Sequence, residues 1–257
     1  MIDILSSVPD VSHWTFIGLT VVSFLTSTFG IVAGLGGGVL LIAVMATIFP
    51  PAVLIPLHGM VQLGSNISRG IIMRREVAWA LFPAFAIGSI VGATIGGKLV
   101  ISLPTGILQI VLGLFLLYVC WAPRPKVARA HSRPKFFLLG GAGALISMFV
   151  GATGTILAPF VAAACRNRGE YVATHGVLMI MIHGLKVIVF GTLGFAFGTY
   201  LPLMAAMIAA TFLGNLFGRS VLKKIPERLF QRIFQVVLTI LALRLLFTGL
   251  STQALLS

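Results

Sequence analysis

Residues 175–186 read HGVLMIMIHGLK, and this stretch decides the fold because it carries Lys186 in a segment otherwise suited to lipid. A charged side chain at membrane depth usually has a function. His175, His183 and Lys186 follow one another at i, i+8 and i+11. At about 100° per residue they share one face of a helix. The stretch therefore predicts a membrane helix whose polar stripe ends in a cation.

The same spacing occurs once more, 117 residues earlier, in the stretch 58–69, HGMVQLGSNISR. Here His58, Asn66 and Arg69 occupy the three positions, and a glycine follows the histidine in both copies. The match indicates a duplicated chain. We predict a first membrane repeat at residues 1–122, a basic cytoplasmic linker at 123–135 and a second, inverted repeat at 136–257.

The composition is that of an integral membrane protein. Of the 257 residues, 58% are hydrophobic and only 9% are charged, whereas about a quarter of a soluble domain is charged. A span needs about 20 apolar residues, so roughly eight to ten membrane segments fit. The fold class predicted is therefore an all-α polytopic membrane protein, an inverted-repeat bundle, with no sizeable soluble domain.

Two glycine-rich runs are expected to break membrane helices. The first spans residues 34–38, GLGGG, and the second, weaker run spans 151–155, GATGT. Unwound backbone at membrane depth is tolerated only where it is buried in protein or lines a cavity. Freed backbone N–H groups at a new helix N-terminus bind anions well. Each broken segment is predicted to form either two spans or a re-entrant hairpin around a ligand site.

The basic residues indicate the orientation. With the linker in the cytoplasm, fifteen lysines and arginines fall on the cytoplasmic side and Lys98 alone on the other. Such asymmetry is the positive-inside pattern, which explains the net charge of +13 without a nucleic-acid partner. Both termini are then expected in the periplasm. Inverted repeats of this kind are typical of secondary transporters, whose substrate sits where broken helices meet.

The candidate substrate-binding residues lie on the two glycine runs and the two polar stripes. Lys186 is interpreted either as part of an anion site or as a structural lysine bonded to carbonyls, and the three histidines as substrate or proton ligands or as packing groups. No carboxylate or cysteine joins them at metal-ligand spacing, and Cys120 and Cys165 are interpreted as inert buried thiols. The full set is Gly34, Gly36, Gly37, Gly38, His58, Gln62, Asn66, Arg69, Gly154, Thr155, His175, His183 and Lys186.

The order and spacing of these motifs resemble those of the TauE/SafE sulfite-exporter family of membrane permeases. The resemblance rests on the broken first helix at 34–38, the proline shortly after it, Gly96-Gly97-Lys98 before Leu103-Pro104, and the weaker second run. It extends over residues 16–249. It implies transport of sulfur-containing anions such as sulfite, sulfonates and sulfoacetate across the bacterial inner membrane.

We therefore expect a secondary transporter of a small oxyanion, with the lipid bilayer around it, no cofactor, and protons from the histidines as the coupled ion. Three alternatives stay open: an anion channel, an intramembrane enzyme and a non-transporting scaffold. The enzyme is disfavoured because the buried polar set lacks an acid, a nucleophile or metal ligands at useful spacing. Whether the chain acts alone or as a homodimer is also left open.

Overall fold

A computed structural model describes residues 8, 11–32, 36–72, 74–123, 127, 132–221 and 227–254. These residues form α-helices joined by short turns and 3₁₀ segments, with no strand among them. Before the linker, the helices are α1 (His13–Val32), α2 (Gly37–Met45), α3 (Pro51–Ile72), α4 (Phe82–Val100) and α5 (Thr105–Trp121). After it come α6 (Arg133–Val150), α7 (Gly154–Ala164), α8 (Arg168–Thr192), α9 (Leu201–Val221) and α10 (Glu227–Ala254).

The two glycine runs interrupt helices as predicted. The first interruption includes Gly36, which directly precedes α2 and has a φ of 104°. The second falls between Val150 and Gly154, with Gly151 at a φ of 75°. Both angles belong to the left-handed region, which glycine enters without the Cβ penalty of other residues. Gly34, part of the predicted first site, lies outside the described residues.

The lengths and surfaces of the helices fit a bilayer. Among the described residues, five helical segments are long and apolar enough to span one: Trp79–Val100, Arg133–Val150, Gly169–Thr192, Phe197–Gly218 and Phe234–Ala254. Large apolar side chains cover their outer faces, as illustrated by Phe247, which is 74% exposed. In water such a surface would be unfavourable. The predicted all-α polytopic membrane fold is confirmed.

Helices from opposite sides of the linker pack against each other. α4 lies along α6, α1 along α9, α3 along α8 and α5 along α10. The α4–α6 contact is close because Gly88 faces the carbonyl of Phe137 and Gly92 that of Gly141. A side chain at either glycine would collide with backbone. The glycines of α4 therefore form a close-packing face.

The same contacts give the helix directions. Gly88 pairs with Phe137 and Gly92 with Gly141, so α4 and α6 run parallel. α8 is also parallel to α4, because Ala78 N–H donates to the hydroxyl of Thr174 at 2.9 Å near one end and Gly97 meets Val189 near the other. α10 is antiparallel to α5. Consequently α6, α8 and α10 all begin at the face where the linker leaves α5, here called the linker face.

The pair α3–α8 stands at the centre and carries both predicted polar stripes. These helices are antiparallel, since Gly59 of α3 meets Lys186 near the end of α8 whereas Gly70 meets Val177 near its start. The short helices α2 and α7 fold back against α3 and α8 respectively. Both chain breaks therefore lie beside the central pair.

Candidate functional site

A cavity of about 80 Å³ lies between the two chain breaks, and we call it the site cavity. Residues from both breaks and both central helices form its wall. Nine of the predicted site residues are brought together here: Gly36, Gly37, Gly38, Gln62, Asn66, Gly154, Thr155, His175 and His183. Arg69 belongs to α3, but its side chain lies outside the described part of the structure.

Two histidines make equivalent contacts with the two short helices. His58 Nε2 lies 2.9 Å from the carbonyl oxygen of Gly38, at the start of α2. His175 Nε2 lies 2.9 Å from the carbonyl oxygen of Gly154, at the start of α7. Each histidine is seven residues into its own helix, about 10 Å along the axis. The two histidines therefore hold the starts of α2 and α7 against the central helices α3 and α8.

His58 and His183 differ in what they face. His58 is completely buried behind the cavity wall, whereas His183 is 3% exposed and lies in the wall itself. Their rings meet edge to face with centroids 6.1 Å apart. His183 Nδ1 has no hydrogen-bond partner among the described residues. A buried polar side chain in a cavity wall with an unpartnered atom is a candidate ligand group.

Lys186 lies behind the cavity. It is completely buried, and its Nζ donates a hydrogen bond of 2.7 Å to the carbonyl oxygen of Gly151. Its aliphatic stem packs on the backbone of Gly59, where a Cβ would approach Cδ to 2.7 Å. This is the carbonyl-bonded arrangement that the sequence left open as one of two interpretations. Lys186 thus fixes the second break at the turn where Gly151 takes its left-handed conformation.

The polar stripe of α3 reaches the cavity through two amides. Asn66 Nδ2 donates to the backbone carbonyl of Gln62 at 2.8 Å. The side-chain amide of Gln62 occupies the space that a Cβ on Gly38 would need. Asn215 of α9 donates to Ser65 at 3.2 Å, which ties the same stripe to α9.

Sequence reasoning missed some of the wall. Ser27 and Gly30 of α1, Ala152 of the second break and Met179 of α8 also line the cavity. Met179 lies one helical turn from His175 and His183, on the predicted face, so the helical period could have found it. Ser27 and Gly30 have no such signal, because small residues in a membrane helix equally indicate helix packing.

The arrangement suits an anion. α2 and α7 both begin at the site cavity, and the first N–H groups of a helix lack partners within it. These groups and the aligned peptide dipoles favour negative charge at a helix N-terminus. No carboxylate lies in the wall formed by the described residues. Among those residues there is also no cluster of three His, Cys, Asp or Glu side chains that could hold a metal ion.

The fold is that of a multi-pass membrane protein with a polar cavity between two helix breaks. The chain belongs to the sulfite exporter TauE/SafE family, because the model of that family matches residues 19–245, most of its length. This confirms the resemblance found in the motifs. Comparison with curated proteins gave no match, and neither did comparison with solved structures.

Proposed function

We propose that this protein is a secondary transporter of a small sulfur-containing oxyanion, of the sulfite, sulfonate or sulfoacetate type, across the bacterial inner membrane. The observation that carries the proposal is the convergence of two helix N-termini and His183 on one cavity without a carboxylate. A sulfite or sulfonate group presents three oxygens that accept hydrogen bonds. Backbone N–H groups from opposite sides suit such an acceptor.

The volume of the cavity is consistent with a small ligand. One water needs about 10–15 Å³ by the same measure, so about 80 Å³ admits several waters or one compact oxyanion. A small headgroup rather than a large organic molecule is therefore the proposed occupant. Gln62 and Asn66 supply neutral amides around it, and His175 and Thr155 approach from the opposite break.

A carrier mechanism is supported by the way equivalent helices pack. In the two predicted repeats α4 is equivalent to α9 and α6 to α1, so the α4–α6 and α9–α1 contacts are equivalent to each other. The other two contacts, α3–α8 and α5–α10, each join a helix to its own equivalent in the other repeat. These contacts are those expected of two inverted repeats, at 1–122 and 136–257, related by a pseudo-two-fold axis. Repeats of this kind rock around a central site in alternating access. We propose protons as the coupled ion, carried by the histidines.

Flux in proteoliposomes tests the function. The purified protein is reconstituted, and uptake of radiolabelled sulfite, sulfoacetate and taurine is measured against protein-free liposomes. A carrier saturates and is stimulated by the same anion on the opposite side. Uptake that neither saturates nor shows stimulation would indicate a channel instead, and the absence of uptake for every anion would contradict the proposal.

A further inference from the structure

A second cavity, of about 350 Å³, adjoins the site cavity, and we call it the linker-side cavity. Gly36 and Thr155 line both cavities and so form the wall between them. From this wall the linker-side cavity extends along α5 and α7 to Ala122 and Pro123. These two residues follow the end of α5, where the linker begins. The cavity therefore leads from the site towards the linker face.

The aromatic ring of Phe234 lies at the inner end of this cavity. It packs on the backbone of Gly36 so closely that a Cβ there would lie 3.0 Å from the ring. Phe234 is seven residues into α10, about 10 Å from its start at the linker face. His175 is seven residues into α8, which begins at the same face. Its contact with Gly36 places the ring beside the wall shared by the two cavities.

The helix that carries Phe234 is fixed to α5 at the next residue. Gln235 Nε2 donates to the carbonyl of Cys120 at 3.3 Å, and Cys120 Sγ donates to the carbonyl of Gln235 at 3.4 Å. One turn further, Trp121 Nε1 donates to Thr239 at 3.0 Å. Because these bonds join α5 and α10 beside the ring, rotation of the Phe234 side chain moves less structure than displacement of its helix.

The remaining lining of the linker-side cavity is mainly apolar. Ile156 and Phe160 of α7 face Val119 of α5 across it. An anion is unfavourable among such side chains unless water accompanies it. Hydrophobic constrictions in membrane proteins close by excluding water and open when they become hydrated. This apolar lining suits a passage that an anion crosses with its water, whereas the polar lining of the site cavity suits a bound anion.

We propose that the linker-side cavity is the access route between the site and the linker face, and that the Phe234 ring is its gate. The proposal rests on the proposed function for the identity of the ion that passes. With the ring against Gly36, the site is closed to the linker face. When the ring turns away, the two cavities join along the wall formed by Gly36 and Thr155.

Thiol labelling tests the gate without requiring transport. The two native cysteines are replaced (Cys120→Ser, which keeps a donor for the Gln235 carbonyl, and Cys165→Ala), and Thr155→Cys introduces a thiol in the shared wall. Sealed vesicles receive a membrane-impermeant sulfonate-bearing thiosulfonate reagent at one face at a time. Adding Phe234→Ala should raise the labelling rate from the linker face about tenfold, because the ring no longer closes the passage. Phe234→Trp, which fills the passage further, should lower that rate.

Phe247→Ala is the matched control, since this phenylalanine of α10 is 74% exposed on the outer face of the same helix. Its labelling rate should equal that of the Thr155→Cys parent. Rates unchanged by both Phe234→Ala and Phe234→Trp would overturn the gate, as would labelling from the opposite face alone. If the Phe234→Ala protein does not fold, the labelling rate of Phe234→Trp decides alone. A slower rate supports the gate, and an unchanged rate overturns it. Absent anion flux in the unsubstituted protein would contradict the proposed function and leave the labelling result intact.

Discussion

The side-chain nitrogen of Lys186 lies 2.7 Å from the carbonyl oxygen of Gly151, so the cation of the central helix fixes the second chain break. Its position behind the cavity wall indicates an indirect effect on a bound anion. The carbonyl at this left-handed turn is freed from helical hydrogen bonding and needs a donor. Lys186 supplies that donor from across the central pair.

Removing this donor should weaken the fold more than the binding. Lys186→Met keeps the stem on Gly59 and removes the ammonium donor to the Gly151 carbonyl, which costs on the order of 1–3 kcal/mol. The melting temperature should fall. Anion affinity should fall by less than the roughly ten- to hundredfold expected when a direct charge-assisted contact is lost. Lys98→Met, at an exposed lysine of α4, is the control. An unchanged melting temperature with a hundredfold affinity loss would show instead that Lys186 contacts the anion.

A methyl group at Gly38 should reduce binding with little change in stability. The Cβ of Gly38→Ala meets the terminal amide of Gln62, a flexible group that can move aside into the site cavity. Affinity measured by ligand-induced thermal shift should fall about tenfold, or 1.4 kcal/mol. In a Gln62→Ala background the same methyl has room, so the two changes should be non-additive by about 1 kcal/mol. Gly18→Ala, where a Cβ meets nothing within 4 Å, should leave affinity unchanged. Strict additivity of the two changes would contradict this geometry.

Transport should depend on protons and not on sodium. His183 lines the site cavity, and histidine is the side chain that most often carries protons in transport proteins. An inward proton gradient should stimulate anion uptake, and flux should change with pH. Replacing sodium by potassium should have no effect. His183→Asn, which introduces the residue found at the equivalent position 66, should flatten the pH profile. A sodium-dependent flux with a flat profile in the unsubstituted protein would reverse the choice of coupling ion.

The chain terminus after α10 should lie on the side opposite the linker. α10 begins at the linker face and runs antiparallel to α5, so its last described residue, Ala254, is at the other face. With the basic linker in the cytoplasm, a C-terminal alkaline phosphatase fusion should be active and a C-terminal fluorescent protein should be dark. The reverse pattern would mean that the charge asymmetry has been assigned to the wrong side.

Much of the fold was predictable because membrane sequences carry strong, local signals. The glycine runs at 34–38 and 151–155 predicted both chain breaks, since glycine is the residue that tolerates the left-handed turns found at Gly36 and Gly151. The helical period likewise predicted that His175 and His183 share a face, and both line the site cavity.

The contacts of Lys186 were less predictable. The helical period places it on the same face as His183, but the carbonyl it meets belongs to a residue 35 positions away, at a turn whose direction depends on tertiary packing. The same limit applies to Phe234. Nothing in the local sequence distinguishes this phenylalanine from the lipid-facing ones, because its partner, Gly36, lies at a distant break.

The packing of helices across the linker has a consequence for how the chain is made. α1 finds its main partner, α9, and α4 finds α6 only after the linker has been synthesised. We therefore expect α1 to α5 to enter the bilayer before the helices that cover their glycine-lined packing faces have been synthesised. As a result, we expect insertion and folding of this protein to be separated in time, and a chain cut within the linker to yield two fragments, each of which needs the other to complete its interior.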